Sequence, residues 1–158
     1  MKTHFNLAYI RNTISPIDLA LENYRSDIDE HPDPDTFGLI DQFEQFLGVG
    51  FTVCQTFLSC VHQGKNKGTM LQKGPFHSSS KSYAQITNAC ANYWKHNDEW
   101  DRTNLSKQAN DTIGVFKDLS VDVWGAYPIS EMFCALLGEN GSFMELLNHL
   151  NSWSNEVE

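Results

Sequence analysis

Alternation of apolar and polar residues over the length of a strand is absent from this sequence, as are internal repeats and low-complexity tracts. Because a half-buried strand needs that period of two, a sheet-based fold is not expected. Apolar residues instead recur at spacings of three and four, the period of an α-helix, within a composition that is 41% hydrophobic. We therefore predict an all-α fold, a single-domain bundle of five to seven helices over residues 1–158.

Basic residues are also few, since 11 lysines and arginines stand against 20 acids and the formal net charge is -9. This balance disfavours a broad surface for nucleic acid or for an anionic membrane, so any RNA contact depends on a local basic patch. Only the segment 63–79 is clearly basic, and it is rich in glycine. Its composition predicts a flexible loop, either a solvated linker or a mobile flap over a site.

The pattern of a secretory leader or of a membrane span is missing as well. The first residues contain no basic stretch followed by an unbroken apolar run, and acids and amides interrupt the longest apolar-rich segment, 37–61. The four cysteines form no CxxC pair, being Cys54, Cys60, Cys90 and Cys134. They are interpreted as buried free thiols of a reducing compartment, and a cytoplasmic protein with no membrane contact is the prediction.

Two helices can be placed by their start and stop signals. The first is predicted to begin with Ser15 as N-cap and Pro16 in the first turn, and to end at the prolines of HPDPD. The second is predicted to span 36–62 and to be the longest, because its apolar stripe continues over seven turns. Gly48 and Gly50 lie in its middle, where they either mark a bend or let a neighbouring helix approach closely.

Motifs for metal or phosphate chemistry are missing too. The sequence has no HExxH, no cysteine–histidine zinc spacing and no Walker-type glycine loop. DQFEQF, with Asp41 and Glu44, is similar to half of a carboxylate metal motif of helical bundles, but no Glu-x-x-His partner is present. A solvated helix face is the preferred interpretation of both acids. We predict no metal and no cofactor.

The unusual residues are concentrated in NACANYWKHNDEW, residues 88–100. On a helix, at about 100° per residue, one face of this stretch is apolar and the opposite face carries Asn88, Asn92, Lys95 and His96. Asparagine is a poor helix former and an uncommon choice for a merely solvated face. Asn92 and His96 are four residues apart and so are neighbours on one surface. Because histidine suits proton transfer near neutrality and lysine can hold a phosphate, this strip is the candidate site.

Within that stretch ANYWKH, residues 91–96, resembles the RNxxxH signature of HEPN domains, the compact helical bundles of many prokaryotic toxins and defence nucleases. The resemblance implies a homodimer in which two copies of the motif meet and cleave RNA without a metal ion. It makes His96 the catalytic acid or base and Asn92 the catalytic residue that orients it. Ala91 stands where the family has the arginine that holds the phosphate. The candidates for substrate binding are Lys95, Asn88 and Arg102.

The sequence leaves two functions open. One is a HEPN-like dimeric domain of a toxin or defence system, a metal-independent endoribonuclease that pairs with a protein such as an antitoxin. The other is a non-enzymatic interaction or regulatory bundle that binds a partner protein. The asparagine-rich strip favours the first, whereas the net charge of -9 and Ala91 favour the second.

Overall fold

A computed structural model describes residues 2–158, with side chains from Leu7 onward. Within this part the chain forms seven α-helices and no strand, and a single 3-10 turn, Asn97–Glu99, follows the fourth helix. The prediction of an all-α bundle of five to seven helices is confirmed. The helices are α1 (Lys2–Glu30), α2 (Leu39–His62), α3 (Lys67–Leu71), α4 (Tyr83–His96), α5 (Lys107–Asp118), α6 (Pro128–Leu137) and α7 (Phe143–Val157).

The first helix begins well before the predicted start at Ser15. α1 includes Pro16 in its interior, and the Ser15 hydroxyl donates to the Arg11 carbonyl, one turn earlier, instead of capping a helix. A proline inside a helix is unfavourable by about 3 kcal/mol. Burial of Leu7 and Ile10 offsets this, since each buried side chain of that size contributes about 1.5–3 kcal/mol. These two residues extend the buried stripe that continues with Ile14, Ile17 and Leu21.

The second helix is central rather than longest. α2 has 24 residues, a length of roughly 36 Å at the usual rise, and lies inside the predicted span. The expectation that it is the longest is wrong, because the early start of α1 gives that helix 29 residues. α2 packs against α1, α4, α6 and α7, and thus supports most of the bundle.

Gly48 and Gly50 allow two aromatic rings to lie directly on the backbone of α2. A Cβ added to Gly48 meets the ring of Trp94 at 2.0 Å, and one added to Gly50 meets the ring of Phe143 at 2.1 Å. Real side chains cannot approach so closely. Of the two roles predicted for these glycines, close approach of a neighbouring helix is therefore the one that the fold uses.

The basic segment 63–79 is not one irregular loop, because it contains the short helix α3. The indole N–H of Trp153 donates to the Met70 carbonyl at 2.8 Å, and the Ser82 hydroxyl donates to the Leu71 carbonyl. Leu71 itself is buried. The expectation of a loop without regular structure is thus corrected for 67–71, and these anchors hold α3 at one edge of α4. The mobility of the rest of the segment stays a prediction.

Two buried or half-buried carboxylates cap the N-termini of helices distant in sequence. Glu44 accepts hydrogen bonds from the backbone N–H groups of Ile129 and Ser130, at 2.8 and 2.7 Å, at the start of α6. Asp18 does the same for α7, accepting from the N–H groups of Phe143 and Met144 at 2.8 and 3.0 Å. The expectation that Glu44 lies on a solvated face is wrong, since its residue is only 8% exposed. Free N–H groups at a helix start require such acceptors.

The cysteines are only in part the buried thiols that the sequence predicts. Cys54 and Cys90 are fully buried in the core, and burial raises the pKa of both thiols above the ordinary range. Cys60 is half-buried and Cys134 is exposed, because Cys134 lies on the side of α6 that faces away from its buried residues. All four are free thiols.

No helix between residues 2 and 158 has both the length and the apolar character needed to cross a membrane.

Candidate functional site

α4, which carries the candidate strip, lies between α2 on one side and α5 on the other. Its N-terminus is held by a capping box, in which Ser82 accepts from the Gln85 N–H and the Gln85 side chain accepts from the Ser82 N–H. The predicted core residues Ile86, Cys90 and Tyr93 are buried. So is Asn92, which the helical wheel placed on the solvent side. That prediction failed because a helix packed on two sides has no single exposed face.

Asn92 is held by a hydrogen-bond network that reaches across to α2. The Gln55 side-chain NH2 donates to Asn88 Oδ1 at 3.0 Å and to Asn92 Oδ1 at 2.9 Å. The Lys95 ammonium donates to Gln55 Oε1 at 2.6 Å. Three of the predicted site residues are therefore brought together, and Gln55 is the residue that connects them.

This network fixes which way each amide points. Lys95 can only donate, so the Gln55 atom beside it must be the carbonyl oxygen and the other must be the NH2 group. Both hydrogens of that NH2 are used by the Oδ1 atoms of Asn88 and Asn92. The Nδ2 groups of the two asparagines are left with no acceptor among residues 7–158. They remain available as donors to something outside the network.

Those asparagines line a groove of about 910 Å³ between α3, α4 and α5, which we call the amide groove. Side-chain amides are the largest group of residues in its lining, apolar side chains lie among them, and no aromatic residue contributes to it. The amides are Gln72, Gln85, Asn88, Asn92, Gln108 and Asn110, and the apolar side chains include Leu71, Ala89 and Val115.

Three lysines line the amide groove, and one of them has no acidic partner among the described side chains. Two of the three lysines that line it are paired with acids, Lys81 with Asp118 at 3.3 Å and Lys107 with Asp111 at 2.8 Å. The third, Lys67 of α3, makes no ion pair or hydrogen bond with any residue whose side chain is described.

Lys67 lies close to the network that orients the asparagines. Burial lowers the pKa of the Lys95 ammonium below its ordinary value, and the charge of Lys67 lowers it further. Two ammonium groups near each other repel, and an anion between them relieves that repulsion. The Asn88–Asn92 end of the amide groove therefore combines two amide NH2 groups with the nearby ammonium group of Lys67.

His96 lies apart from Asn92, in a second and smaller depression of about 330 Å³. Its Nδ1 is 3.4 Å from Glu99 Oε2, and 41% of its side chain is exposed. The depression is formed by the chain after α4 and the start of α5, and includes Trp100 and Ser106. No hydrogen bond joins His96 to Asn92 within the described part of the chain, so the structure does not assemble the predicted catalytic pair.

None of the chain's three arginines lies in the lining of either depression. Arg102, a predicted substrate-binding residue, stacks on the ring of Trp124 with its guanidinium carbon 4.2 Å from the ring centre. Arg25 donates to the Gly141 carbonyl at 2.8 Å, and Arg11 contacts the side chain of Asn148 at 3.5 Å. Ala91, at the arginine position of the HEPN motif, is fully buried. No guanidinium is therefore placed to hold a phosphate beside His96.

Sequence reasoning missed two residues of the site, Gln55 and Lys67. Gln55 did carry a signal, because it lies within the apolar stripe of α2 and a polar residue in such a stripe usually has a buried partner. For Lys67 the only signal in the sequence was the generally basic composition of its segment. Its position against α4 depends on how α3 is anchored, which no local pattern shows.

The chain matches no protein-family model, no curated protein and no solved structure. Its function must therefore be inferred from the amide groove and from the surroundings of His96.

Proposed function

We propose that this protein is a non-catalytic binding domain and that the amide groove is its recognition surface. The observation that carries the proposal is the orientation of Asn88 and Asn92. The Gln55 NH2 group, whose direction is set by the Lys95 ammonium, donates to both Oδ1 atoms and leaves the two asparagine NH2 groups without an acceptor at the groove. Both NH2 groups reach solvent, since every buried side-chain N or O atom among the described side chains has a partner, so a ligand that supplies acceptors can reach them.

The titratable groups of the groove support binding rather than catalysis. Four of the five form the ion pairs Lys81–Asp118 and Lys107–Asp111, and the fifth is Lys67. General acid–base chemistry needs a group that gains or loses a proton near neutral pH within reach of the reacting atom. The lining offers neither a histidine nor an unpaired carboxylate for that purpose. A polar groove with fixed donors and no such group is suited to recognition.

The second candidate is the HEPN-like ribonuclease. It is supported by His96, whose imidazole is solvent-accessible, lies next to Glu99 and follows Asn92 by one helical turn. Two observations disfavour it. His96 and Asn92 line different depressions, and each of the three arginines contacts a residue outside both depressions. In this candidate the active species is a homodimer, and its partner is a protein such as an antitoxin.

Dimerisation stays a prediction. Six large apolar side chains are exposed, but they belong to several different elements of the described chain. They are Tyr9, Leu19, Phe37, Val49, Phe76 and Trp124. Sedimentation at tens of micromolar tests for a dimer, which the ribonuclease candidate requires and the binding domain does not.

A display experiment tests the binding proposal. Immobilised protein is used to select short random peptides, first as wild type and then as Gly114→Trp. Gly114 lines the groove, and a Cβ there meets no atom within 4 Å, so a large side chain can fill the groove without displacing the core. Ser152→Trp, at an exposed position of α7, is the matched control. We expect wild type and the control to select binders and Gly114→Trp to lose them.

A cleavage assay separates the two candidates. Single-stranded RNA containing all four bases is incubated with the protein and EDTA. The binding domain leaves the RNA intact, and His96→Ala changes nothing. Cleavage by wild type that His96→Ala abolishes would replace the proposal with the ribonuclease.

A further inference from the structure

We infer that the amide groove binds an extended segment of a partner protein and that an acidic side chain of this segment lies between Lys67 and the amides of Asn88 and Asn92. The inference rests on the proposed binding function and specifies its ligand. Three features of the groove lead to it: the donors at one end, the amides along the walls, and the absence of aromatic rings from the lining.

The donor end fits a carboxylate. Asn88 and Asn92 present NH2 groups whose direction is fixed, and Lys67 adds an ammonium group with no partner among the described side chains. A carboxylate has two oxygens that only accept, so it can receive hydrogen bonds from the amides and from the lysine together. Hydrogen bonds to a charged acceptor are about twice as strong as those between neutral groups.

The walls fit the backbone of an extended chain. A side-chain amide can offer a peptide backbone both a donor and an acceptor, and Gln72 and Gln108 keep both, since neither side chain makes a hydrogen bond within the described part of the chain. Gln85 keeps its NH2 group, because its oxygen accepts from the Ser82 N–H, and Asn110 keeps its oxygen, because its NH2 group donates to the carbonyls of Leu105 and Ser106. Gln72 and Gln85 line the groove together with Gln108 and Asn110 of α5, and Leu71, Ala89 and Val115 offer apolar contacts in the same lining. A groove of about 910 Å³ has room for several residues of such a chain.

The same lining disfavours a single-stranded nucleic acid. Proteins that bind unpaired bases stack them on aromatic side chains or on arginine. Neither kind of residue lines the groove. Asp111 and Asp118 also lie along it, and with the overall charge of -9 they repel a chain of phosphates more than a peptide with one acid.

The test begins with the peptides that wild type selects from the random display library. We expect an aspartate or glutamate at one fixed position among them. Changing that acid to its amide in a synthetic, fluorescently labelled peptide should weaken binding about tenfold or more, the usual effect of losing a charge-assisted hydrogen bond. Lys67→Ala should weaken binding of the acidic peptide to a similar extent and leave binding of the amide peptide unchanged.

Lys73→Ala is the matched control, because Lys73 is an exposed lysine of the same segment that does not line the groove. It removes the same charge and should leave affinity within about twofold of wild type, as expected for an exposed lysine outside the contact surface.

Gln55→Glu tests the orientation of the amides without touching the ligand. The carboxylate keeps an acceptor for Lys95 but no longer donates, so Asn88 and Asn92 must turn their NH2 groups toward it and present oxygens to the groove. We expect the acidic peptide to lose its preference over the amide peptide, while thermal unfolding stays close to that of wild type.

The outcomes separate this inference from the proposed function. If groove-dependent binders appear without a fixed acid, or bind Lys67→Ala as well as wild type, the acidic ligand is wrong and the binding domain stands. If labelled single-stranded RNA binds there instead of a peptide, this inference is overturned and the binding domain stands. If no binder depends on the groove, both are overturned.

Discussion

Glu44 shows how one residue connects distant parts of this bundle. Its carboxylate lies on α2 and accepts from two backbone N–H groups and one hydroxyl at the start of α6. Burial raises its pKa above the ordinary carboxyl value, and the hydrogen bonds with Ser130 and Ile129 oppose that rise. This role could not be predicted, because DQFEQF has the same local pattern whether Glu44 is solvated or buried.

Removal of this carboxylate should destabilise the protein. Glu44→Ala leaves three donors without an acceptor, and we expect the free energy of unfolding to fall by about 2–4 kcal/mol. Glu44→Gln keeps one acceptor oxygen and should lose less. Urea unfolding of both variants measures this, with Gln45→Ala as a control at an exposed position of the same helix. Equal stability of Glu44→Ala and wild type would show that the cap contributes little.

His62 leads to a prediction about pH. Its side chain is buried at the end of α2, and its Nδ1 accepts from the Gly64 N–H at 2.8 Å. Burial lowers the pKa of His62 below the ordinary value of 6.5, and the charge of Lys67 lowers it further. As the pH falls through about 6.5, the unfolded chain takes up a proton that the folded chain does not. The free energy of unfolding therefore decreases until the pH reaches the folded-state pKa.

The measurement compares urea midpoints at about pH 7.5 and about pH 5.5, on either side of the ordinary histidine pKa. His62→Gln should show a smaller decrease than wild type over this interval. His31→Gln, which alters the turn after α1, should keep the wild-type decrease. If His62→Gln and wild type lose stability equally, the buried histidine is not the cause.

At the scale of the helices, the positions of most helices could be predicted from the periodicity of the apolar residues. The stripes of α2, α4 and α7 specify where each helix lies, and Ser82, Ser106 and Ser142 cap α4, α5 and α7 as N-cap chemistry requires. The start of α1 could not be predicted from its local signals. Serine followed by proline is a strong signal for a helix start, and the apolar residues before Ser15 are a weaker signal that the helix is already under way. Burial of Leu7 and Ile10, a tertiary effect, decided the outcome.

The close contacts at the two glycines of α2 give a prediction at this scale. Gly50→Ala places a methyl group within 2.1 Å of the Phe143 ring, and we expect the free energy of unfolding to fall by about 1–3 kcal/mol. In the double variant with Phe143→Leu, the loss should be smaller than the sum of the two single losses.

Gly114→Ala is the control for backbone propensity. A Cβ there meets no atom within 4 Å, and replacing a helical glycine by alanine should raise stability by up to about 1 kcal/mol. If the losses of unfolding free energy caused by Gly50→Ala and Phe143→Leu simply add in the double variant, the Phe143 ring does not clash with the added methyl group.

The basic segment should be cut by trypsin first at Lys65. That residue is exposed in the turn between α2 and α3, where Gln63, Gly64 and Asn66 all have positive φ. Lys73 follows the anchors at Met70 and Leu71 and should be cleaved more slowly. A first cut within α5, at Lys107 or Lys117, would contradict this order. It would show that α5, which forms the other wall of the groove, unfolds locally more easily than the basic segment.

For the molecule as a whole, the sequence could identify the residues of the site but not their arrangement. Asn88, Asn92, Lys95 and His96 were selected because they share one face of a helix, and the first three do act together. Gln55 of α2 packs against one part of this helix face, and α5 packs beside it. As a result Asn88 and Asn92 line the amide groove, whereas His96 lies in a separate depression. Periodicity describes one helix, whereas the division of its face depends on the neighbours that pack against it.

Binding of an acidic peptide at the amide groove can be followed directly by heteronuclear NMR of the side-chain NH2 resonances of Asn88 and Asn92. A peptide with one acid, selected by display, is titrated into wild type, and its amide counterpart is titrated in parallel. We expect both NH2 resonances to shift saturably with the acidic peptide and much less with the amide peptide, and we expect Gln55→Glu to abolish this difference. Shifts confined to the depression of His96, Glu99 and Ser106, with the two asparagines unchanged, would contradict it.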